Sequence, residues 1–446
     1  MSIVLPSELQ YRSSLPSLPS GVQSNEIALL PVNGSAFSCA TAGQMVQWDL
    51  PMRGYMVPNT CYIKYKGQTI CTGVAKMRGT PVYTPIQKLE TIFGSQVVES
   101  INNYGMVQNM VTNCTLNVAQ KFGLQSGYGY KADNTVTAQV PNLQGLDGRM
   151  CTSGGETASY SAPIPCLLSN AEKLVPLGMM PLVRMQLTLD SVANMFTTAA
   201  FGPVATAAAQ NGILTEVVAV APTDFVLTDF QFCYTMVDFG PETDAAVHSM
   251  GEKLYIKSQS FINAATTIPA NAVGTMEYIY STRLASVKSV FMHNSAGLCN
   301  GNFESFDVTS GGNYQFSIAG KYFPPKPIDA GGNKSGVLLE LKKAMGSIYD
   351  TTNNFSIDTA EFNATAIASG LGSTITTPAK FFVGCNTEIL PSNNVLLSGI
   401  STQNSPITAR LNIVTAPVVN ILASLIVAFD AIIEVIPSEK SAVVRQ

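Results

Sequence analysis

Phe230-Gln-Phe-Cys-Tyr-Thr-Met-Val-Asp-Phe-Gly-Pro241 decides how this chain is read. Phe230, Phe232, Tyr234 and Met236 alternate with Gln231, Cys233 and Thr235, the period of two that turns one face of a β-strand towards a core. The end of the stretch recurs: Met236-Val-Asp-Phe-Gly-Pro241 is echoed by Ile432-Ile-Glu-Val-Ile-Pro437, 196 residues on. Each copy joins strand residues to an acidic residue, Asp238 or Glu434, and then a proline. A second pair lies 198 residues apart, with Ile86, Leu89, Ile92 and Phe93 falling on Leu284, Val287, Val290 and Phe291. Two offsets this close predict an internal duplication. The expected layout is an arm, residues 1–24, then two domains of one fold, 25–240 and 241–446. Phe239 to Asp244 is a short link that holds them side by side.

Further strand signals lie outward from this stretch. Val183, Met185, Leu187 and Leu189 alternate with Arg184, Gln186 and Thr188. Short strands are also predicted at Glu26–Val32, Met45–Leu50, Thr60–Tyr65, Lys253–Ile256, Tyr278–Tyr280, Tyr314–Ile318, Lys380–Val383 and Leu425–Val435. Asn33-Gly34 is a strong hairpin pair. Regularly spaced short strands point to a sandwich or barrel rather than alternating β and α units. Two amphipathic helices interrupt them. One runs from Ile101 to Lys121, with Tyr104, Val107, Met110 or Val111, and Val118 on one stripe; the other runs from Gly336 to Tyr349, with Leu338, Leu341, Met345 and Ile348. Both are expected to pack on a sheet edge or end. Thr197–Thr215 and Thr351–Pro378 read as long insertions at the end of a sandwich. The arm holds Pro6, Pro16 and Pro19 among Ile3, Val4, Leu5, Leu9, Leu15 and Leu18, too apolar for a purely solvated tail.

Composition narrows the function. Of the 446 residues only 12% are charged, about half the usual ~25%, while 46% are apolar. Disordered chains are charge-rich and poor in apolar residues, so a folded chain is expected. The formal charge is −4 and no block of five or more like charges occurs, so the clustered Lys and Arg that displace phosphate counterions are missing; direct sequence-specific nucleic-acid binding is not expected. The nine cysteines contain no C-x-x-C pair and read as small buried hydrophobes. His248 and His293 are the only two histidines, too few for a catalytic zinc site or a cupin centre, and are expected to make ordinary surface or interface hydrogen bonds. A G-x-S-x-G elbow and a phosphate-binding G-x-x-x-x-G-K-[ST] loop are both lacking. Asp224 and Asp229 are close in sequence but do not make a calcium cage. No catalytic, cofactor-binding or metal residue is therefore expected, and no cofactor. The first residues lack a basic region and an apolar run, so a signal peptide is not expected. Ile413 to Phe429 is 17 mostly apolar residues, but it contains Pro417 and reads as one or two buried strands rather than a transmembrane segment.

Four stretches carry a family resemblance. Leu89-Glu-Thr-Ile-Phe-Gly-Ser-Gln-Val-Val-Glu-Ser-Ile-Asn-Asn-Tyr104 resembles a strand-turn-strand leading into a helix, and Pro181–Asp190 a late strand of the same domain. Tyr314-Gln-Phe-Ser-Ile-Ala-Gly-Lys-Tyr-Phe-Pro-Pro-Lys-Pro-Ile328 resembles the segment ahead of the second helix, and Leu425–Pro437 a closing strand. With the duplication, the chain resembles the double jelly-roll major capsid proteins of icosahedral double-stranded DNA viruses, most closely the polinton-like and virophage type. The resemblance implies an all-β fold of two consecutive eight-stranded antiparallel jelly-roll sandwiches with a few short helices. It implies a homotrimer of pseudo-sixfold outline that tiles a shell around double-stranded DNA. The implied partners are neighbouring capsomers, a penton protein and minor cement proteins, with an internal membrane compatible but not spanned. The implied location is the virion capsid, assembled in the cytoplasm or nucleus of a host cell. The alternatives are a secreted β-sandwich adhesin or carbohydrate-binding protein, an enzyme, and a single-jelly-roll capsid of an RNA virus. On the arm reading, deleting residues 1–24 should weaken assembly between capsomers, seen by electron microscopy, more than it lowers the unfolding midpoint; equal loss of both would refute it.

Overall fold

The computed structural model describes residues 21–72, 75–130, 148–151, 156–197, 201–204, 215–217, 222–249, 252–296, 303–331, 334–348, 355–357, 359–363, 379–389 and 397–446. The arm's first twenty residues and most of the two long insertions lie outside them.

In the first half, eight principal strands follow one another: Gln23–Leu29, Met45–Asp49, Tyr55–Ile70, Ile86–Phe93, Gln96–Asn102, Glu156–Pro163, Val183–Leu189 and Asp224–Asp238. They form two antiparallel sheets. One takes the first, eighth, third and sixth strands in that order, and the other the second, seventh, fourth and fifth. The second half repeats this with Leu254–Ile268, Gly274–Tyr280, Val287–Ala296, Asn313–Ile318, Lys321–Asp329, Val383–Asn386, Ile407–Ile413 and Ile421–Ile436. Its sheets have the same orders, first-eighth-third-sixth and second-seventh-fourth-fifth. Two consecutive eight-stranded jelly-roll sandwiches result, and the chain is all-β with a few short helices.

The period-two reading holds in three dimensions. Val183, Met185, Leu187 and Leu189 are buried while Arg184, Gln186 and Thr188 are half-buried. On that wetter face Arg184 forks onto Asp49, Nε–Oδ1 2.6 Å and Nη2–Oδ2 3.2 Å. Phe230, Phe232, Tyr234 and Met236 face the first core. Across from them, Trp48 meets Phe230 edge-on with ring centroids 5.1 Å apart, so the facing sheets interlock through aromatic rings. In the second sandwich the Tyr280 hydroxyl donates to the Ala423 carbonyl of the facing sheet at 3.3 Å. The apolar run from Ile413 resolves into the end of one strand, a turn holding Pro417, and the central strand Ile421–Ile436. Among the described residues no helix is long and apolar enough to cross a membrane.

The duplication is real in strand order, but its register differs from the sequence expectation. Equivalent strands one to seven start 224 to 232 residues apart, and only the eighth starts 197 apart. The shift comes from the connection before the eighth strand, 34 residues (190–223) in the first half against seven (414–420) in the second. Ile86–Phe93 is a fourth strand, whereas Leu284–Phe291 runs into a third; its true counterpart is Asn313–Ile318. Apolar strands with the same alternation are interchangeable by pattern, which is why that match misled.

Local differences have local causes. Asn33-Gly34 does not close a hairpin: Gln23–Leu29 and Ala36–Ser38 both pair with Asp224–Asp238, at different places along it. Asn33 instead ties the turn to the other sheet, donating to Met45 O at 2.7 Å and accepting from Gln47 N at 3.1 Å. The first helix is Tyr104–Thr115, and a second, Val118–Gly123, starts anew because Asn117 and Gln120 form a reciprocal capping box. Ten of the twelve residues of Tyr104–Thr115 are buried, so it is embedded rather than laid on a sheet edge. Gly105 permits this, since a Cβ there would sit 2.5 Å from Tyr83 O. The helix Ser335–Ala344 buries Val337, Leu341 and Ala344, while Ile348 beyond its end is exposed.

Trp48 is the one tryptophan of the chain and lies in the first core. Phe230→Ala should cost about 3–5 kcal/mol, the usual range for truncating a buried aromatic. Urea unfolding followed by Trp48 emission would show it as a lowered midpoint; an unchanged midpoint would contradict the packing.

Candidate functional site at the junction of the sandwiches

The polar chemistry of this chain concentrates where the halves meet. The edge strand Gln96–Asn102 of the first sandwich is covered by the edge strand Leu254–Ile268 of the second. Glu99 projects from the first of these and is buried, 3% exposed. Its Oε2 accepts from Thr91 Oγ1 at 2.7 Å and its Oε1 from the Leu167 backbone N–H at 2.7 Å. Oε1 also accepts from Ser260 Oγ of the second sandwich. Burial pushes the Glu99 carboxyl above the usual carboxylate range, and the three donors pull it part of the way back.

The segment after Pro163 continues this seam. Ser258 Oγ donates to Leu167 O at 2.5 Å, Asn170 Nδ2 to Gln259 O at 3.0 Å, and Glu172 N to Lys257 O at 2.9 Å. Asn263 Nδ2 reaches Asn102 O at 3.3 Å, and the side chain of the terminal Gln446 donates to Val98 O. Buried Lys257, Ser258, Ser260 and Asn263 make the covered strand polar where an ordinary core strand would be apolar. Between the sandwiches runs the helix Pro241–Ser249, held by Tyr55 Oη donating to Asp244 at 2.8 Å.

A second contact lies at the embedded helix. Arg78 pairs with Glu304 at 2.6 Å, both nearly buried, and Asn109 Nδ2 donates to Phe303 O at 3.2 Å. Asn113 O accepts from Ser356 N at 3.0 Å and from its hydroxyl at 3.2 Å. Lys380 pairs with Glu361 at 2.7 Å. Lys121, also buried, donates to Asn113 Oδ1, and burial lowers its pKa to about 8 while Glu361 opposes the shift. Pairing is what makes these charges tolerable inside the protein.

The residues weighed from sequence do not come together. His248 is exposed on the linking helix. His293 is wholly buried in the second sandwich with its ring 5.7 Å from that of Phe382, and burial lowers its pKa to about 4; it is a core residue, not a surface or interface donor. Asp224 accepts from Ser38 Oγ and Cys39 N, while Asp229 pairs with Lys66 at 2.7 Å, so the two are spent on separate tasks. The seven cysteines whose side chains are described are free and buried, and burial raises the thiols of Cys39, Cys61, Cys114, Cys166, Cys233 and Cys385, those of Cys166 and Cys385 to about 12. Such thiols are poor nucleophiles. Glu99 itself was not singled out from the sequence. Its signal is a carboxylate set between the apolar pair Val97-Val98 and Ile101 in a short strand that also carries Gln96, Ser100 and Asn102.

No protein-family model matches the chain, and a search of curated proteins gave no match. Solved structures do match. The Faustovirus major capsid protein aligns over 96% of this chain and 92% of its own, with TM-score 0.61 at 8% identity. VP54 of PBCV-1, fitted into a reconstruction of the virophage Sputnik, aligns over 98% and 99%, with TM-score 0.58 at 10% identity. The mavirus major capsid protein aligns over 100% and 95%, with TM-score 0.52 at 10% identity. At these identities the likeness is one of fold: two jelly rolls in tandem, end to end.

A raised carboxyl means the folded state binds its proton more tightly than the unfolded chain. The cost of holding Glu99 ionised is therefore full above its folded pKa and vanishes as pH falls below its unfolded value. Relative to Glu99→Gln, the wild type should gain stability in denaturant titrations as pH falls from neutral towards the ordinary carboxylate range. Glu99→Ala, which strands three donors, should cost about 1–3 kcal/mol more than Glu99→Gln at neutral pH. A gap between wild type and Glu99→Gln that does not change with pH would contradict the titration.

Proposed function

We propose that this chain is the structural major capsid protein of an icosahedral double-stranded DNA virus, of polinton-like or virophage type. The observation that carries the reading is one strand order occurring twice across the whole chain, with major capsid proteins matching it over at least 92% of their own length. The division proposed is an arm at 1–24, a first jelly roll at 25–240, and a second at 241–446 with a short C-terminal tail. Three chains supply six sandwiches, which gives a homotrimeric capsomer a pseudo-sixfold outline and lets it tile a shell. Neighbouring capsomers, a penton protein and minor cement proteins are its partners, in the virion and during assembly in the host cytoplasm or nucleus. The role requires no reaction, so the chain is read as a non-enzyme.

The sparse charge supports this reading. Only 12% of residues are charged, and nine charged side chains among the described residues are buried, which leaves the surface emptier still. Obligate interfaces are poor in charge, and repulsion between many like copies accumulates when each carries a large net charge. A net charge of −4 without a basic cluster suits DNA that other proteins pack or condense. A secreted adhesin or carbohydrate-binding protein, the other reading of a β-sandwich chain, gains no comparable support from the structures it matches.

Purified full-length protein should have the mass of a trimer or larger assembly by light scattering, with hexagonal outlines in negative stain. A stable monomer at micromolar concentration would overturn the proposal.

A further inference from the structure

The junction inside the chain is a template for a junction between chains. Four edge strands matter: the first and fifth of each sandwich. The fifth of the first sandwich, Gln96–Asn102, and the first of the second, Leu254–Ile268, cover one another and bury Val98, Glu99, Ile101, Lys257, Ser258 and Ser260. Among the described residues, their counterparts by strand order are left uncovered. On Gln23–Leu29 no residue is buried, and Leu30 and Val32 just beyond are 67% and 58% exposed. On Lys321–Asp329 only Ile328 is buried, and Tyr322 is 49% exposed.

We infer that Lys321–Asp329 of one copy seats on Gln23–Leu29 of the next copy, repeating the internal junction head to tail. The inference rests on the trimer reading and assigns its contact surfaces. Charge agrees with the pairing: Glu26 is the only charge on Gln23–Leu29, whereas Lys321 and Lys326 dominate the other strand, with Asp329 at its end. The mode of contact agrees as well. Inside the chain the two covering strands belong to different sheets and meet through side chains rather than a β-ladder. Pro324, Pro325 and Pro327 deprive Lys321–Asp329 of the N–H groups a ladder needs while leaving side-chain packing open. A head-to-tail contact closes into a ring when its rotation divides a full turn. On the trimer reading, a copy-to-copy step that repeats the step between sandwiches closes the ring at three chains. One difference follows from the sequence: the fifth strand of the second sandwich carries prolines where the first carries Glu99, so it brings no counterpart of Glu99 to the contact between copies, and the carboxylate there is Glu26 of the facing strand.

The test uses the full-length protein with Ala28→Cys and Lys326→Cys, together and singly, oxidised with copper phenanthroline and run without reductant. The seven native cysteines whose side chains are described are buried, and the single variants control for Cys151 and Cys299. The double variant should give linked species of two and three chains and none larger, each single variant none, and the two single variants assembled together linked pairs only. Linked species longer than three chains would overturn the closed ring. A trimer by light scattering that forms no link between positions 28 and 326 would overturn this strand assignment while leaving the trimer itself standing. A monomer would overturn both.

Discussion

Glu99 is a carboxylate removed from water, and three donors from three separate pieces of chain converge on it: Thr91 from the neighbouring strand, Leu167 from the loop after the sixth strand, and Ser260 from the other sandwich. An unsatisfied buried charge costs more than any one contact at the junction contributes, so these pieces are bound to arrive together. That demand sets how the second sandwich docks on the first. It also places Ser258, Asn170 and Asn263 where each finds a backbone carbonyl across the seam. Apolar packing would hold the halves together in many orientations. The polar contacts select one.

Much of the fold was legible because it rests on alternation. Val183–Leu189 and Phe230–Met236 announce one dry face each, and a closing strand recurring near the end of each half marks the duplication. The strand-turn-strand over Leu89–Tyr104, expected from the family resemblance, is also present and turns at Gly94-Ser95. What alternation cannot supply is which strand answers which, and so Leu284–Phe291 was matched to the wrong partner. Nor can it show that a helix with an apolar stripe is buried on its polar sides too. Gln108, Asn109 and Asn113 of Tyr104–Thr115 look solvent-facing in sequence, yet Asn109 and Asn113 bond across to the second half.

The junction itself was invisible from sequence for a related reason. Its donors and acceptors lie far apart in the chain, Glu99 and Ser260 being 161 positions distant, and each alone resembles an ordinary polar strand residue. His293 shows the converse. A histidine in a chain with only two invites a surface role, but its neighbours on the strand Val287–Ala296 fold it into the core.

The 34-residue connection ahead of Asp224 has a consequence for symmetry. Its counterpart in the second half is seven residues long, so the two sandwiches are alike in strand order and unlike in this connection. Any ring built of whole chains then alternates long-looped and short-looped units around its rim. A neighbour of the proposed capsomer would then meet two kinds of unit in strict alternation. The chain thereby carries its own orientation mark, and parts that must sit in only one of two near-identical settings have something to distinguish them by.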